Sequence, residues 1–226
     1  MTSDAKVVLC DAVHAFVAQE HGLFVDGAIC PAHSPRRSKV FDPATGDVLT
    51  TVPDADATDV DRAVASARAA FEARVWCGLR PADRERILLR FADVLEAHAE
   101  ELAQLETLNQ GKSINVARAI DVGATLEYVR YMAGWATKIV GETLDVSIPF
   151  PPGARYTALT RHEPVGVVAG IVPWNFPVMI AVWRLVPSLA AGCSVVTNRR
   201  PRRRSRRCGW SNWPSTRALG RAHSTW

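Results

Sequence analysis

The sequence lacks the cysteine patterns that build a disulfide framework or a metal site. Its five cysteines are Cys10, Cys30, Cys77, Cys193 and Cys208, an odd and scattered set with no CxxC pair. Disulfide scaffolds carry even numbers of closely spaced cysteines, whereas scattered free thiols are typical of a reducing compartment. We therefore expect no disulfides and no metal site.

The sequence also lacks a segment that would direct the chain into or across a membrane. The first ten residues, MTSDAKVVLC, are polar, include Asp4 and contain no signal-peptide core. The longest apolar stretch is interrupted by Trp174-Asn175 and by Arg184, so no spanning segment is expected. These absences favour a cytoplasmic protein that makes no membrane contact.

Acidic residues are missing from the last part of the chain. All 23 Asp and Glu residues lie at or before Glu163, and residues 1–197 carry 18 Lys and Arg, a net charge of −5. Residues 198–226 contain nine arginines and no lysine or acidic residue, a net charge of +9. The sequence pI of about 9.0 therefore reflects this tail, and the body of the chain is mildly acidic.

Short β-type runs between residues 23 and 53 predict two hairpin-like strand pairs. The runs are Leu23–Val25, Val40–Phe41 and Val48–Val52, with turn residues at Asp26-Gly27 and Asp42–Gly46. Asp-Gly between β-type residues is a strong hairpin signal because both positions tolerate positive φ.

Amphipathic helices are predicted between these hairpins and Gly141. The first is expected to be capped by Thr58 in a weak capping box with Asp61, and its apolar face is Val60, Ala63, Val64, Ala67, Ala70 and Phe71. The second begins near Pro81, ends at Gly111 and carries Leu88, Phe91, Leu95, Leu102 and Leu105. The third carries Ala117, Ile120, Ala124, Tyr128, Tyr131, Trp135 and Ile139. We expect all three stripes to form the core.

Two further features follow. Residues 143–148 and 155–161 flank Phe150–Gly153 and predict an extended hairpin with few core positions, which suggests an arm that packs on another domain or subunit.

Val165–Val172 is almost continuously apolar, as in a parallel strand buried on both faces, and Pro173 ends it. A helix over Met179–Ala191 and a strand over Cys193–Thr197 complete a strand–helix–strand unit.

Four segments, in order, resemble the NAD(P)-dependent aldehyde dehydrogenase superfamily. They are FDPATGDVLTTVPDADATDVDRAVASARAAF, LETLNQGKS, YVRYMAGWATKIVGETL and EPVGVVAGIVPWNFP, and the resemblance covers roughly Leu23 to Thr197. It implies an α/β fold: an incomplete Rossmann-like cofactor-binding domain of aldehyde dehydrogenase type with an extended hairpin arm. The implied divisions are 1–141 for hairpins and helices, 142–162 for an oligomerisation arm, 163–197 for the first strand–helix–strand unit, and 198–226 for the tail.

The resemblance also implies a reaction. In the family a cysteine thiolate attacks an aldehyde, hydride passes to NAD or NADP, and a glutamate-activated water releases the acid. Asn175 matches the asparagine whose side-chain amide donates to the oxyanion, a role that suits a neutral, well-aimed donor. Val172, Pro173 and Trp174, with Asn175, match the turn that lines the cofactor cleft. An aldehyde substrate, aryl or arylacetic in character, and a homo-oligomer or pairing with full-length relatives are the implied partners.

The sequence departs from the family pattern after residue 197. Asn198-Arg199-Arg200 stands where the family has Lys-Pro-Ala, and the Glu-Leu-Gly-Gly and Gly-Gln-x-Cys segments with the general base and nucleophile do not follow. Cys193 aligns with a strand start and is expected to be a buried small side chain rather than a nucleophile. Lys112 is expected to be a surface lysine. The chain alone is therefore predicted to be inactive.

Three interpretations of the tail stay open. The balance of nine arginines against no lysine is typical of a shifted reading frame in a GC-rich gene, which is the interpretation we favour. Alternatively the chain is a non-catalytic remnant that interacts through its hairpin. The third interpretation, nucleic-acid binding through arginines and tryptophans of the tail, is the least favoured. In each case the tail is expected to be disordered, because it has little apolar surface to bury.

Overall fold

The computed structural model describes residues 8–199, with side chains described as far as Thr197. The helices are α1 (Asp11–Ala18), α2 (Ala57–Glu72), α3 (Pro81–Ala97), α4 (Ala99–Gln110), α5 (Ile114–Val116), α6 (Ala124–Ala133) and α7 (Pro177–Ala190). A π-helical segment covers Ala117–Gly123, and a 3₁₀ turn covers Gly134–Thr137. The strands are β1 (Leu23–Val25), β2 (Ala28–Cys30), β3 (Arg37–Phe41), β4 (Val48–Pro53), β5 (Thr143–Asp145), β6 (Thr157–Leu159), β7 (Val167–Val172) and β8 (Ser194–Arg199). The predicted α/β class is confirmed.

The two hairpins expected near the start of the chain are present. Strands β1 and β2 pair antiparallel around Asp26 and Gly27, whose φ angles of 53° and 73° are those of a two-residue turn with positive φ at both positions. Strands β3 and β4 also pair antiparallel, with a shift of register between Val40 and Phe41. The sequence signals for these hairpins were local turn residues, which is why they were recognisable.

Helix α2 is capped two residues earlier than predicted. The cap is Asp56, whose side chain accepts from the Asp59 amide, while the Asp59 side chain accepts from the Asp56 amide. The prediction of a Thr58–Asp61 box was therefore wrong. Asp59 is 2% exposed and pairs with Arg62 at 3.0 Å, so burial and an ion pair favour the earlier start. His33 contacts Asp56 at 3.0 Å, which lowers the pKa of Asp56 and raises that of His33.

The predicted apolar face of α2 is only partly covered, and none of its six residues is fully buried. Val60 and Val64 are each 40% exposed, so the expectation that this face forms core was wrong. The helix contacts strands β7 and β8, and the parallel sheet of the described residues has only those two strands. A wider sheet would be needed to bury the rest of this face.

The second predicted helix is divided in two at His98, whose φ of −108° and ψ of 18° are not helical. Helices α3 and α4 flank this break, and α4 ends at Gly111 with φ 73°, as predicted. The expected core stripe is confirmed, because all five of its residues are buried: Leu88, Phe91, Leu95, Leu102 and Leu105.

The third helix differs most from its prediction. Its seven-residue π-helical segment changes the register, so Ile120, Tyr131 and Trp135 are 49%, 63% and 42% exposed. Ala117 is the buried member of the predicted stripe; the face that packs inward is Val122, Leu126, Val129, Ala133 and Ala136. A prediction based on the 3.6-residue period of the α-helix assigns residues to the wrong face where a π-helical segment has more residues per turn.

The core lies where α3, α6 and α7 pack together. Its fully buried members include Phe91, Val129, Val178 and Val182. Trp76 packs against this cluster and donates from Nε1 to the Leu189 carbonyl at 2.7 Å, which ties the loop after α2 to the end of α7. The helices therefore hold α7, and with it the turn that precedes α7, against a rigid layer.

The extended hairpin is present and exposed. Strands β5 and β6 pair antiparallel, and the Tyr156 hydroxyl donates to the Phe150 carbonyl at 2.7 Å across the segment that joins them. Phe150 and Leu159 are 77% and 70% exposed. The observation agrees with an arm that has no core of its own; its role in oligomerisation stays a prediction.

The strand–helix–strand unit has parallel pairing from Val167 with Ser194 to Val172 with Arg199. Strand β7 ends before Pro173 as predicted, but it is not buried on both faces, because Ile171 is 67% exposed. Strand β8 continues two residues beyond its predicted end at Thr197. Most of the arginine-rich tail, residues 200–226, lies outside the described residues, and so does the expectation that it is disordered.

Within residues 8–199, no helix combines the length and apolar character that a bilayer crossing requires. Over the same range, no three His, Cys, Asp or Glu side chains are grouped in a way that could hold a metal ion.

An ion pair between α4 and the π-helical segment predicts an acid-dependent loss of stability. Arg118 donates to both carboxylate oxygens of Glu100 at 2.8 and 2.7 Å, which with Gln104 lowers the pKa of Glu100 to about 2 from 4.5. A lowered folded-state pKa stabilises the fold above pH 4.5, and the contribution is lost as pH falls towards 2. We expect urea midpoints to fall over this range and Glu100→Gln to reduce the slope. Glu127→Gln, at an exposed position on α6, is the control; equal slopes for both variants would contradict the assignment.

Candidate active site at the carboxyl end of strand β7

The turn between β7 and α7 presents Asn175 at the edge of the sheet. Val172 is 2% exposed and anchors the end of the strand, whereas Trp174 is 41% exposed and Asn175 is exposed. Pro173 has no amide hydrogen and cannot extend the ladder, so the chain leaves the sheet here. In open α/β sheets, ligands bind outside the carboxyl ends of the strands, which is where this turn lies.

The same turn precedes the amino terminus of α7. Pro177 is the first helical residue, and the Phe176 carbonyl accepts the Ile180 amide at 3.0 Å. The first-turn amides have no partners within the helix and give its amino end a partial positive charge. The setting therefore favours negative charge close to Asn175, although a helix terminus alone does not define a site.

Lys112 lies underneath this turn rather than on the surface. Its ammonium donates to the Asn175 carbonyl at 3.2 Å and to Asp121 Oδ1 at 2.5 Å, and its side chain is only 17% exposed. It also lies 4.3 Å from the centroid of the Phe176 ring. The expectation of a surface lysine was wrong, because the chain turns back at Gly111 and directs the side chain inward.

Aromatic side chains make ring contacts between and along helices α6 and α7. The rings of Tyr128 on α6 and Trp183 on α7 lie 5.5 Å apart, and Trp183 is 42% exposed. Partial burial raises the pKa of Tyr128. Tyr131 and Trp135 continue the aromatic surface, with ring centroids 6.3 Å apart. Both tyrosines belong to the predicted core stripe; Tyr128 packs against the core cluster, whereas Tyr131 is turned outward.

Of the cysteines that the structure describes, Cys193 adjoins the parallel sheet, but at the wrong end for a nucleophile. Cys193 is 3% exposed and precedes β8, whose first residue pairs with Val167 at the start of β7. Asn175 follows the other end of that strand, and a rise of about 3.3 Å per residue places the two ends roughly 17 Å apart. The expectation that Cys193 is a buried small side chain is confirmed by its burial.

Cys77 lies close to the chain near Cys193. A Cβ built on Gly192 would lie 3.8 Å from Cys77 Cα and 3.7 Å from the Arg84 guanidinium carbon. Arg84 is 8% exposed and donates to the Leu79 carbonyl at 2.7 Å, and burial lowers its pKa. Cys77, Arg84 and Gly192 therefore lie at the end of the β7–α7–β8 unit where β8 begins. That end is opposite to the turn that carries Asn175.

The model of the aldehyde dehydrogenase family matches residues 29–204. The chain belongs to this family. Phenylacetaldehyde dehydrogenase from Pseudomonas fluorescens is 52% identical over 176 residues, which are 78% of this chain and 35% of that protein. The NAD⁺ complex of aldehyde dehydrogenase from Bacillus cereus has a TM-score of 0.82 at 38% identity, covering 96% of this chain and 41% of that one. An apo indole-3-acetaldehyde dehydrogenase has a TM-score of 0.78 at 35% identity, covering 90% and 45%.

These comparisons confirm the family and the fold class. The chain spans about a third of the length of the curated relative and less than half of the two solved chains. The match to the family model also runs past residue 197, where the sequence had suggested a boundary. The four divisions of the chain and the roles of the predicted site residues stay predictions.

Of the four predicted site residues, Val172 ends strand β7, and Pro173, Trp174 and Asn175 lie on the turn that follows, at the carboxyl edge of the sheet. Sequence reasoning missed the buried charges below it: Lys112, Asp121 and Glu106. The two carboxylates are both 0% exposed. The available signal for these charges was the presence of acidic residues inside an amphipathic pattern. The regular helical period does not place Asp121 on the inward face, because the π-helical segment changes the register.

Proposed function

We propose that this chain supplies the oxyanion side of an NAD(P)-dependent aldehyde dehydrogenase site, in a reaction that oxidises an aldehyde to a carboxylic acid. The observation that carries the proposal is the exposed Asn175 between the end of β7 and the amino terminus of α7, inside the region matched by the family. When a thiolate adds to the aldehyde carbonyl, negative charge develops on oxygen. The Asn175 carboxamide would donate a hydrogen bond to that oxygen.

The residues present fit one side of a dinucleotide. The carboxyl edge of β7 is open, and Ile171 and Trp174 offer exposed apolar surface there, at 67% and 41% exposure. Val172, Pro173 and Trp174 would line this side of the cleft. When bound, NAD(P) supplies the hydride acceptor. The NAD⁺ complex of the Bacillus cereus relative supports this choice of cofactor.

The chain alone is proposed to be inactive. Cys193 is buried at the opposite end of the sheet, so it is not positioned to attack an aldehyde that contacts Asn175. The sequence contains no Gly-Gln-x-Cys segment and no Glu-Leu-Gly-Gly segment. A nucleophile and a general base must therefore come from sequence that this chain does not contain.

An arylacetic aldehyde is the proposed substrate class. Two of the similar proteins are named for aryl substrates, the phenylacetaldehyde enzyme and the indole-3-acetaldehyde enzyme. The tilted ring pair of Tyr128 on α6 and the half-exposed Trp183 on α7, the helix that follows the turn, supports this choice, because offset or tilted ring contacts favour an aromatic ligand.

A chimera tests this proposal. Residues 29–197 would replace the matched region of the Pseudomonas fluorescens relative, and NADH formation would be followed with phenylacetaldehyde and with an aliphatic aldehyde. We expect NAD-dependent oxidation with a higher kcat/KM for phenylacetaldehyde. A chimera that folds and binds NAD but oxidises neither aldehyde would contradict the proposal.

A second candidate function is interaction without catalysis, through the hairpin arm of β5 and β6. The observation that supports this function is a groove of about 680 Å³ lined by arm residues that include Ile148 and Tyr156. Phe150 and Leu159 of the same arm are exposed. Exposed apolar surface of this kind is typical of an interface. It would pair the chain with itself or with a full-length relative.

We expect Phe150→Asp to shift the chain from an oligomer towards a monomer in sedimentation velocity, because the aspartate would place a charge at the centre of an apolar contact. Ile29→Asp, at a 44% exposed position on β2, is the matched control and should leave the distribution unchanged. Identical sedimentation of wild type and Phe150→Asp would argue against the arm as the interface.

A further inference from the structure

The loop after α4 returns to the interior and carries Lys112 with it. Gly111 has a φ of 73°, and its amide donates to the Thr107 carbonyl at 2.8 Å. A Cβ at Gly111 would lie 2.8 Å from Pro43 Cγ, so glycine is required by both backbone conformation and space. This geometry fixes where the Lys112 side chain starts.

Two fully buried carboxylates hold the Lys112 ammonium. Asp121 Oδ1 lies 2.5 Å from Nζ, and Glu106 Oε1 lies 3.7 Å from it. Glu106 comes from α4 and Asp121 from the π-helical segment, so the ammonium joins two elements of the helical layer. Charges removed from water are retained only where they are paired, and this lysine is the cation in contact with both carboxylates.

The outward side of the ammonium faces the turn that carries Asn175. Its hydrogen bond to the Asn175 carbonyl at 3.2 Å links the buried charges to the backbone of that residue. The Phe176 ring lies over the same ammonium at 4.3 Å, within the range of a cation–π contact. One ammonium therefore touches the residue proposed to donate to the oxyanion and the residue that follows it.

We propose that Lys112 is a positioning residue for Asn175. Held from below by Asp121 and Glu106, its ammonium fixes the Asn175 carbonyl and the Phe176 ring, and thereby sets the direction of the Asn175 side-chain amide. The catalytic importance of that direction rests on the proposed function. The hydrogen bond from Lys112 to the Asn175 carbonyl, and its effect on the conformation of the turn, do not rest on the proposed function. A charged donor is a strong anchor for a backbone carbonyl.

The peptide bond between Asn175 and Phe176 can be observed alone. Asn-Phe occurs once in the sequence, so labelling the full chain with ¹³C-carbonyl Asn and ¹⁵N Phe gives a single cross-peak in an HNCO experiment. The carbon of that peak belongs to the carbonyl that accepts from Lys112. We expect Lys112→Met to move the carbonyl resonance upfield and to broaden the peak, because the charged donor is lost.

Lys112→Arg, which keeps a cationic donor, should restore the peak towards its wild-type position. Arg118→Met removes a different ion pair, an exposed one with Glu100 at 2.7 Å between α4 and the π-helical segment, and should leave the peak unmoved. A folded Lys112→Met chain whose Asn-Phe peak coincides with that of wild type would overturn the proposal.

Removing Lys112 alone leaves two buried carboxylates together, so that variant could fail to fold. The triple variant Glu106→Gln/Lys112→Met/Asp121→Asn removes the buried charges as a set. It should show the same upfield displacement, and a peak at the wild-type position would overturn the proposal equally. No substrate or cofactor is used, so an inactive chimera would count against the proposed function and leave this result intact.

Discussion

Asn175→Ala lowers kcat by about 10²–10³-fold in the chimera described above, since this is the usual cost of removing one oxyanion donor. The side chain is exposed at the end of β7, so truncating it leaves no cavity in the core. The hydrogen bond forms to charge that develops during attack, so kcat should fall far more than KM rises. The measurement is steady-state kinetics with phenylacetaldehyde and NAD.

Two further variants separate the oxyanion role from a general effect on the turn. Asn175→Asp has almost the same shape but offers no donor when ionised, so its kcat should fall at least as far as that of Asn175→Ala. Asn115→Ala, at an exposed position near the start of α5, should retain full activity. An Asn175→Ala chimera with kcat within a few-fold of the parent would rule out the role.

Phe91→Ala should destabilise the chain by about 3–5 kcal/mol, the typical cost of removing a buried aromatic ring. Phe91 is 0% exposed at the centre of the α3–α6–α7 core. Tyr131→Ala is the matched comparison, because the sequence pattern placed Tyr131 in the core and the structure leaves it 63% exposed. Its cost should stay within about 0.5 kcal/mol, as at other surface positions.

Urea unfolding of both variants and of the wild-type chain, followed by circular dichroism, measures the difference. Nearly equal losses of stability for Phe91→Ala and Tyr131→Ala would mean that the third helix keeps the register predicted from its sequence. The π-helical segment would then be contradicted, and with it the inward direction of Asp121.

Local signals explain which parts of the fold were predictable. The Asp26-Gly27 hairpin, the Gly111 helix end and the Pro173 strand end each depend on a residue with a restricted or special backbone conformation, and each was predicted correctly. The core stripe of α3 and α4 was also predictable, because an undistorted helix preserves its 3.6-residue period.

The failures have equally specific causes. The cap of α2 depends on a tertiary ion pair and on burial of Asp59, neither of which is visible in a local pattern. The third helix changes register at its π-helical segment, which moves the expected stripe outward and brings Asp121 inward. Ile171 and the Val60 face of α2 are exposed because the described parallel sheet has only two strands, although the apolar pattern predicts a wider one.

Part of the candidate site was predictable because a local sequence motif carries it. The resemblance located Val172 to Asn175 through a contiguous motif, and the structure places that motif at the end of β7. Lys112 and its two carboxylates are separated from it in sequence by more than fifty residues and meet it only in the folded chain. Contacts between residues so far apart in the sequence form through tertiary packing, and no periodic sequence pattern predicts them.

The most direct test of the account compares NADH formation by the 226-residue chain and by the chimera, at equal concentrations with NAD and phenylacetaldehyde. We expect turnover by the chimera and none by the chain alone, because Asn175 is proposed as an oxyanion donor whereas the described Cys193 is buried at the far end of the sheet. Turnover by the purified chain that disappears in Cys193→Ser would contradict this expectation, since a buried thiol at the far end of the sheet would then be the nucleophile.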